Sequence, residues 1–170
     1  MKSFSLMALA TIAGCVMLVP EALAHKFSTA YMEVKNQASQ PAMLWKVSLH
    51  DLAQAQLFNA QRQSDISWQQ IQDSREQLQQ YITTQVQFRD AEGACSMQLA
   101  AATQWRTQQI QQQLYLLLPL TAQCQSTQGW QLHYQALFET GHNHKLLLTW
   151  QTPTLNTQAV LSSSQAVFPH

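Results

Sequence analysis

The sequence predicts a mainly β domain, an antiparallel β-sandwich carrying one helical insertion at about residues 67–82, and three observations lead to that class. Period-two alternation recurs along the chain, most clearly where Trp130, Leu132, Tyr134, Ala136 and Phe138 alternate with Gln131, His133, Gln135 and Glu139. Sustained helical spacing occurs once, where Trp68, Ile71, Leu78 and Ile82 follow a Ser67/Gln70 capping-box pattern. The remaining segments are short and joined by polar turns, the order expected of hairpin-connected strands rather than of a parallel sheet with crossover helices.

The chain opens with a secretion signal. Lys2 gives a basic start, Phe4 to Val19 an apolar run, Pro20 a break, and Ala22-Leu23-Ala24 a small-x-small cleavage site, so residues 1–24 are read as the signal peptide and 25–170 as a single domain. A second reading is open at Ile12-Ala13-Gly14-Cys15, which has the form of a lipoprotein box with Cys15 as the lipidated residue. Both readings export the chain and point to the periplasm. No later apolar run reaches the ~20 residues needed to cross a bilayer as a helix.

In order, Phe27 to Val34 is a first strand, and Met43, Trp45, Val47 and Leu49 face one way on a second, with a polar turn from Asn36 to Pro41 making the pair a hairpin. Asp51 to Leu57 reads as a short helix capped by Asp51. The longer helix follows, with Trp68, Ile71, Leu78 and Ile82 on its buried face. Val86 and Phe88 begin a strand that turns at Asp90-Ala91-Glu92-Gly93 and returns through Cys95, Met97 and Leu99. Tyr115 to Leu120 is apolar on both faces, and Pro119 sets its end near an edge or a bulge. The strand from Trp130 to Phe138 then turns at Thr140-Gly141-His142-Asn143 into Leu146, Leu148 and Trp150, which predicts a second hairpin with His142 and His144 at its turn. Residues 159–161 and 166–168 form one last strand, or a strand and a tail. Trp45, Phe88, Leu116, Tyr134 and Phe138 are the expected core aromatics and aliphatics.

Composition excludes some partners. Charged residues are 11% of the chain and the net charge is +0, so there is no electrostatic footprint for nucleic acid or an anionic membrane surface. About one residue in six is Gln, which keeps exposed faces polar without charge. Cys95 and Cys124 are the two cysteines left after signal removal, and in an oxidising compartment they are most simply a disulfide, with a thiolate metal site as the alternative.

Several short features in this order resemble the exported domain that precedes the membrane helices in HupE/UreJ-type proteins. They are Ala24-His25-Lys26 with Ser28 and Tyr31, Trp45-Lys46-Val47-Ser48-Leu49-His50-Asp51-Leu52, Asp65-Ile66-Ser67-Trp68, Cys95 and Cys124, and Tyr134 to Phe138 leading to His144-Lys145-Leu146-Leu147. The resemblance implies an envelope domain, without enzymatic activity, associated with a membrane protein of a nickel or cobalt uptake system. Read as far as Phe168-Pro169-His170 the sequence shows no membrane helix, so this chain is not expected to be a permease itself. It also has Ala60-Gln61-Arg62-Gln63-Ser64-Asp65 where the family often has an acidic, calcium-type loop, and one carboxylate cannot supply a calcium oxygen shell.

Cleavage after Ala24 gives His25 a free α-amine beside its imidazole, two nitrogen donors that chelate copper or nickel, with His144 or His142 completing a planar set. His144 is the position that matches the resemblance. The bland alternative makes His142 and His144 exposed turn residues, and His50, His133 and His170 ordinary surface residues. Catalytic signals are weak: Ser162-Ser163-Ser164 lacks a nucleophile-elbow setting, the carboxylates show no pair, and the four glycines form no phosphate loop. A copper oxygenase built on an N-terminal histidine would share the His25 argument, but nothing in the sequence calls for oxygen chemistry. Two functions are therefore expected: a non-enzymatic accessory domain that binds or delivers a transition metal to a membrane system, or an envelope interaction module with no metal site.

Overall fold

The computed structural model describes residues 28–58, 66–141 and 143–169. In chain order the elements are β1 (Thr29–Gln37), β2 (Gln40–Ser48), α1 (Leu49–Gln54), α2 (Trp68–Asp73), α3 (Arg75–Gln85), β3 (Val86–Asp90), β4 (Gly93–Ala94), β5 (Ser96–Leu99), β6 (Arg106–Ile110), β7 (Gln113–Gln123), β8 (Gln131–Tyr134), β9 (Lys145–Gln151), β10 (Asn156–Leu161) and β11 (Val167–Phe168). Seven strands form one sheet, in the order β10-β9-β1-β2-β7-β5 with β6 also on β7, and four form a second, β11-β8-β3-β4. The predicted class is the observed one, two sheets around a shared core with a helical insertion. One pairing departs from it, since β1 runs parallel to β9.

The first hairpin forms as expected. Alternation buries Ala30, Met32 and Val34 of β1 and Met43, Trp45 and Val47 of β2 on the same face of the large sheet. The strands run closer together than the sequence suggests, because the reversal needs only Ala38 and Ser39, both at positive φ (48° and 63°). That is the backbone twist a two-residue hairpin requires. Leu116, Leu118 and Leu120 of β7 and Leu146, Leu148 and Trp150 of β9 extend the same buried layer. The smaller sheet meets it through Val86 and Phe88 of β3 and Leu132 and Tyr134 of β8.

The second predicted hairpin does not exist. β8 stops at Tyr134 and pairs with β3 and β11, whereas β9 lies in the other sheet between β1 and β10. The chain between them turns through Leu137 in the left-handed region (φ 67°), a short 3-10 turn at Phe138–Thr140 and Gly141 (φ 73°), and so crosses from one layer to the other. Alternation fixes which face a strand buries and not which strand lies beside it. Phe138, expected in the core, is only partly buried on this crossover.

Other expectations change in similar ways. Ser48, not Asp51, caps α1, its hydroxyl accepting from the Asp51 N–H at 3.0 Å, because β2 runs straight into the helix. Asp51 instead sits buried in the first turn, where a carboxylate complements the helix dipole, and His50 is an exposed residue of α1 rather than of a strand. The Ser67/Gln70 capping box is present, but the insertion breaks at Ser74 into two helices, and Trp68 is 41% exposed while Ile71, Leu78 and Ile82 are buried. Trp68 occupies the first helical position, ahead of the turn that reaches the core. β6 has no apolar alternation to betray it, being exposed along nearly its whole length.

Pro119 sits within β7 rather than at its end. β5 pairs with residues 120–123 of β7 and β6 with residues 113–117, so this edge of β7 is unpaired between them. The Pro119 carbonyl points to that edge and accepts from Ala100 at 3.0 Å, so its missing N–H falls where no ladder bond is lost.

Cysteine pairing marks the corner where the chain changes sheets. β4 belongs to the small sheet and β5 to the large one, with Cys95 between them bonded to Cys124 just beyond β7. The expected disulfide is therefore formed, across 29 residues of sequence. Glutamine amides finish strand edges that lack a neighbour. Gln40 both donates to the Cys124 carbonyl and accepts from its N–H, and Gln79 of α3 does the same across Met97 O and Leu99 N on β5. With Arg75 donating to Leu99 O, α3 closes the β5 edge against further pairing.

Candidate functional site

The buried polar groups of this domain gather at one end of the sandwich, where β1 and β9 begin, β2 and β8 finish and β7 sets out. Ser28, Ser48, Asp51 and His144 are the buried polar residues among those described. His144 is 3% exposed. Its Nδ1 lies 2.5 Å from Ser28 Oγ and its Nε2 2.9 Å from the Tyr134 hydroxyl. The ring stacks on Tyr134 at 5.9 Å with 21° between planes and meets Phe138 at the same centroid distance. Tyr115 adds a hydroxyl donating to Thr29 O at 3.0 Å.

Electrostatics keep this cluster neutral. Burial pushes the His144 imidazole down to about 4, opposed in part by the negative charges of Asp51 and Glu139. Burial likewise raises the Tyr134 hydroxyl far above its ordinary value. Tyr115 is pushed up to about 12 by burial first and by its neighbours Tyr31 and Asp51 second. Trp45 leaves its buried indole N–H without a hydrogen-bond partner, and its ring meets Tyr134 edge-on at 6.2 Å. Neutral imidazole offers one donor and one acceptor, and each hydroxyl can take either role, so the three groups satisfy one another internally.

A second lock lies beside it. Tyr81 of α3 donates to Glu139 at 2.5 Å and accepts from the Leu137 N–H at 2.8 Å, which fixes the left-handed corner that carries the chain between sheets. Outside the cluster, an open cleft is lined by Phe138, Asn143, His144, Lys145 and Ser162 to Ser164.

The candidate metal ligands are divided. His144 is described and has both nitrogens engaged, so coordination would require giving up Ser28 or Tyr134. His25 and His142 lie outside the described residues, as do the signal peptide, Cys15, Asp65 and His170. His133 faces Gln87 and Val167 across its strand neighbours, and its Nε2 is buried without a partner. One acidic and sulfur cluster occurs among the described residues, Asp90 with Cys95 and Cys124, their ligand atoms within 4.8 Å. Both sulfurs are spent in the disulfide, which removes the thiolate alternative. The Asp90 carboxylate, held low first by the Ser126 N–H, ties that loop to the β3–β4 turn through bonds from Ser126 at 2.6 Å, Glu92 at 2.8 Å and Gly93 at 2.9 Å.

A serine against a histidine nitrogen is also the geometry of an activated nucleophile, but such a serine must reach a substrate. Here Ser28 and His144 are both buried, and the second nitrogen meets a tyrosine rather than a carboxylate. Sequence reading missed Ser28 and Tyr134 as partners of His144. A usable signal existed: His144 shares the parity of Leu146, Leu148 and Trp150, the inward side of β9.

No protein-family model and no curated protein matches this chain. The likeness to the HupE/UreJ-type exported domain thus rests on its ordered short motifs alone. No helix among the described residues is long and apolar enough to cross a membrane, and the disulfide fits an oxidising, exported setting.

Proposed function

We propose that this chain is an exported, non-enzymatic accessory domain of the cell envelope that works by docking on a membrane partner. The observation that carries the reading is the outer face of the seven-stranded sheet. Val160, Leu147, Tyr31 and Leu117 share one row across it, interrupted by Lys46, and Leu44 and Pro119 lie in the next. Leu147 is 37% and Val160 49% exposed, while the polar pole of the domain is turned inward and satisfied by its own side chains. An apolar band that no described residue covers marks a contact surface, and a Glu33–Lys46 ion pair at 2.8 Å fixes charge at its centre. Periplasmic residence and a HupE/UreJ-type membrane partner follow from the leader and from the resemblance.

A photo-reactive amino acid placed at Leu44 should trap one membrane protein in intact cells, and the same probe at Gln80 on α3 should not. Equal labelling from both positions, or none from Leu44, would remove the docking reading.

The second reading, copper or nickel binding through His25 with His144 or His142, is favoured by one observation: His144 is held neutral and borders an open cleft. Titrating the processed protein with Cu(II) and Ni(II) decides it. The amine chelate requires that one residue added before His25 abolish binding, and that acid weaken it as protons compete for the nitrogens.

A further inference from the structure

The free edge of β10 is a pairing strand without protection, and we infer that a second copy of this chain occupies it. Thr152 and Leu155 exchange both backbone bonds at the turn between β9 and β10. From that closing pair the antiparallel register alternates, so Thr157, Ala159 and Leu161 bond to β9 while Asn156, Gln158 and Val160 turn their N–H and C=O groups outward. Among the described residues those outward groups have no backbone partner, and Gln158 O meets only the Thr157 hydroxyl at 3.5 Å.

The other edges are managed differently. α3 covers β5 through Gln79 and Arg75, β4 and β11 are two residues each, and β6 starts with Arg106. β10 is Asn-Thr-Gln-Ala-Val-Leu, with no charge and no proline, the devices that ordinarily blunt an edge.

Its own copy is the complement that this pattern fits. A two-fold axis at Gln158 sets Gln158 against its mate and Asn156 against Val160 of the second copy, so all three outward residues exchange bonds in both directions. Side chains on each face stay on that face, because directly opposed residues share parity. Neither the strand nor the chain, of net charge +0, repels its copy. The two seven-stranded sheets then become continuous, with the Gln158, Thr149 and Glu33 row meeting its own copy across the axis.

The inference goes beyond the docking reading and is tested on purified protein alone, so failure here leaves the Leu44 labelling result untouched. Sedimentation of the exported protein should show a reversible monomer–dimer equilibrium. Gln158→Pro removes only an outward N–H and Gln158→Lys opposes two ammonium groups across the axis; each should weaken dimerisation at least about tenfold with the unfolding midpoint nearly unchanged. Mixing Gln158→Lys with Gln158→Glu should restore association as a heterodimer. A parent protein that stays monomeric at every concentration, a Gln158→Lys variant that dimerises like the parent, or a Lys/Glu mixture that does not associate would each overturn the proposal.

Discussion

Phe88→Ala is expected to destabilise the domain by about 3–5 kcal/mol, the range for deleting a fully buried aromatic ring that leaves a cavity. Phe88 belongs to β3 in the small sheet, but its ring lies parallel to Trp150 of the large sheet, 5.6 Å away and 5° from coplanar. It also meets Trp130 edge-on at 5.9 Å, and Trp150 in turn touches Phe168 at 5.4 Å. One substitution therefore loosens the join between both layers. Total stabilities of small domains are only about 5–15 kcal/mol, so the variant should be near its folding limit. Denaturant titration followed by tryptophan emission measures the shift directly, because two reporters flank the ring. Phe138→Ala is the contrast, expected to cost about 1–3 kcal/mol because its ring is only partly buried. Equal losses at the two positions would mean that the interlayer stack does not carry this weight.

Acid is expected to remove about 3 kcal/mol of stability through His144 alone. In the unfolded chain its imidazole takes up a proton as pH falls through its ordinary value of 6.5, but burial delays protonation in the folded state until about 4. Between those values the unfolded state binds more protons, so stability is full above the window and declines as pH drops through it. His133, also lowered by burial and by Arg89, acts in the same direction. Glu33, lowered by its bond to Lys46, and Asp90 contribute stability that is lost at still lower pH, as their carboxylates are protonated. Urea unfolding from pH 7.5 downward should show the decline, and His144→Gln should flatten most of it above pH 4.5. An unchanged slope in that variant would place the acid sensitivity elsewhere.

Local pattern determined much of this protein. Alternation in β1, β2, β3, β8 and β9 identified the inward faces, Ser67 and Gln70 marked the start of the insertion, and an even pair of exported cysteines marked the bridge. These features are legible because each depends on residues a few positions apart, within reach of backbone geometry or of a single bond. Strand neighbours were decided only in three dimensions. β8 and β9 carry the pattern of a hairpin, yet the buried corner at Leu137, fixed by Tyr81 from a helix more than fifty residues earlier, sends them to opposite sheets. The same packing decided the role of His144. Beside a glycine-containing turn it reads as an exposed ligand, but the parallel pairing of β1 with β9 brings Ser28 to one ring nitrogen, and Tyr134 closes on the other from the facing sheet. Such contacts join residues with no relation along the chain, and only the closing of the two layers over one core brings them together.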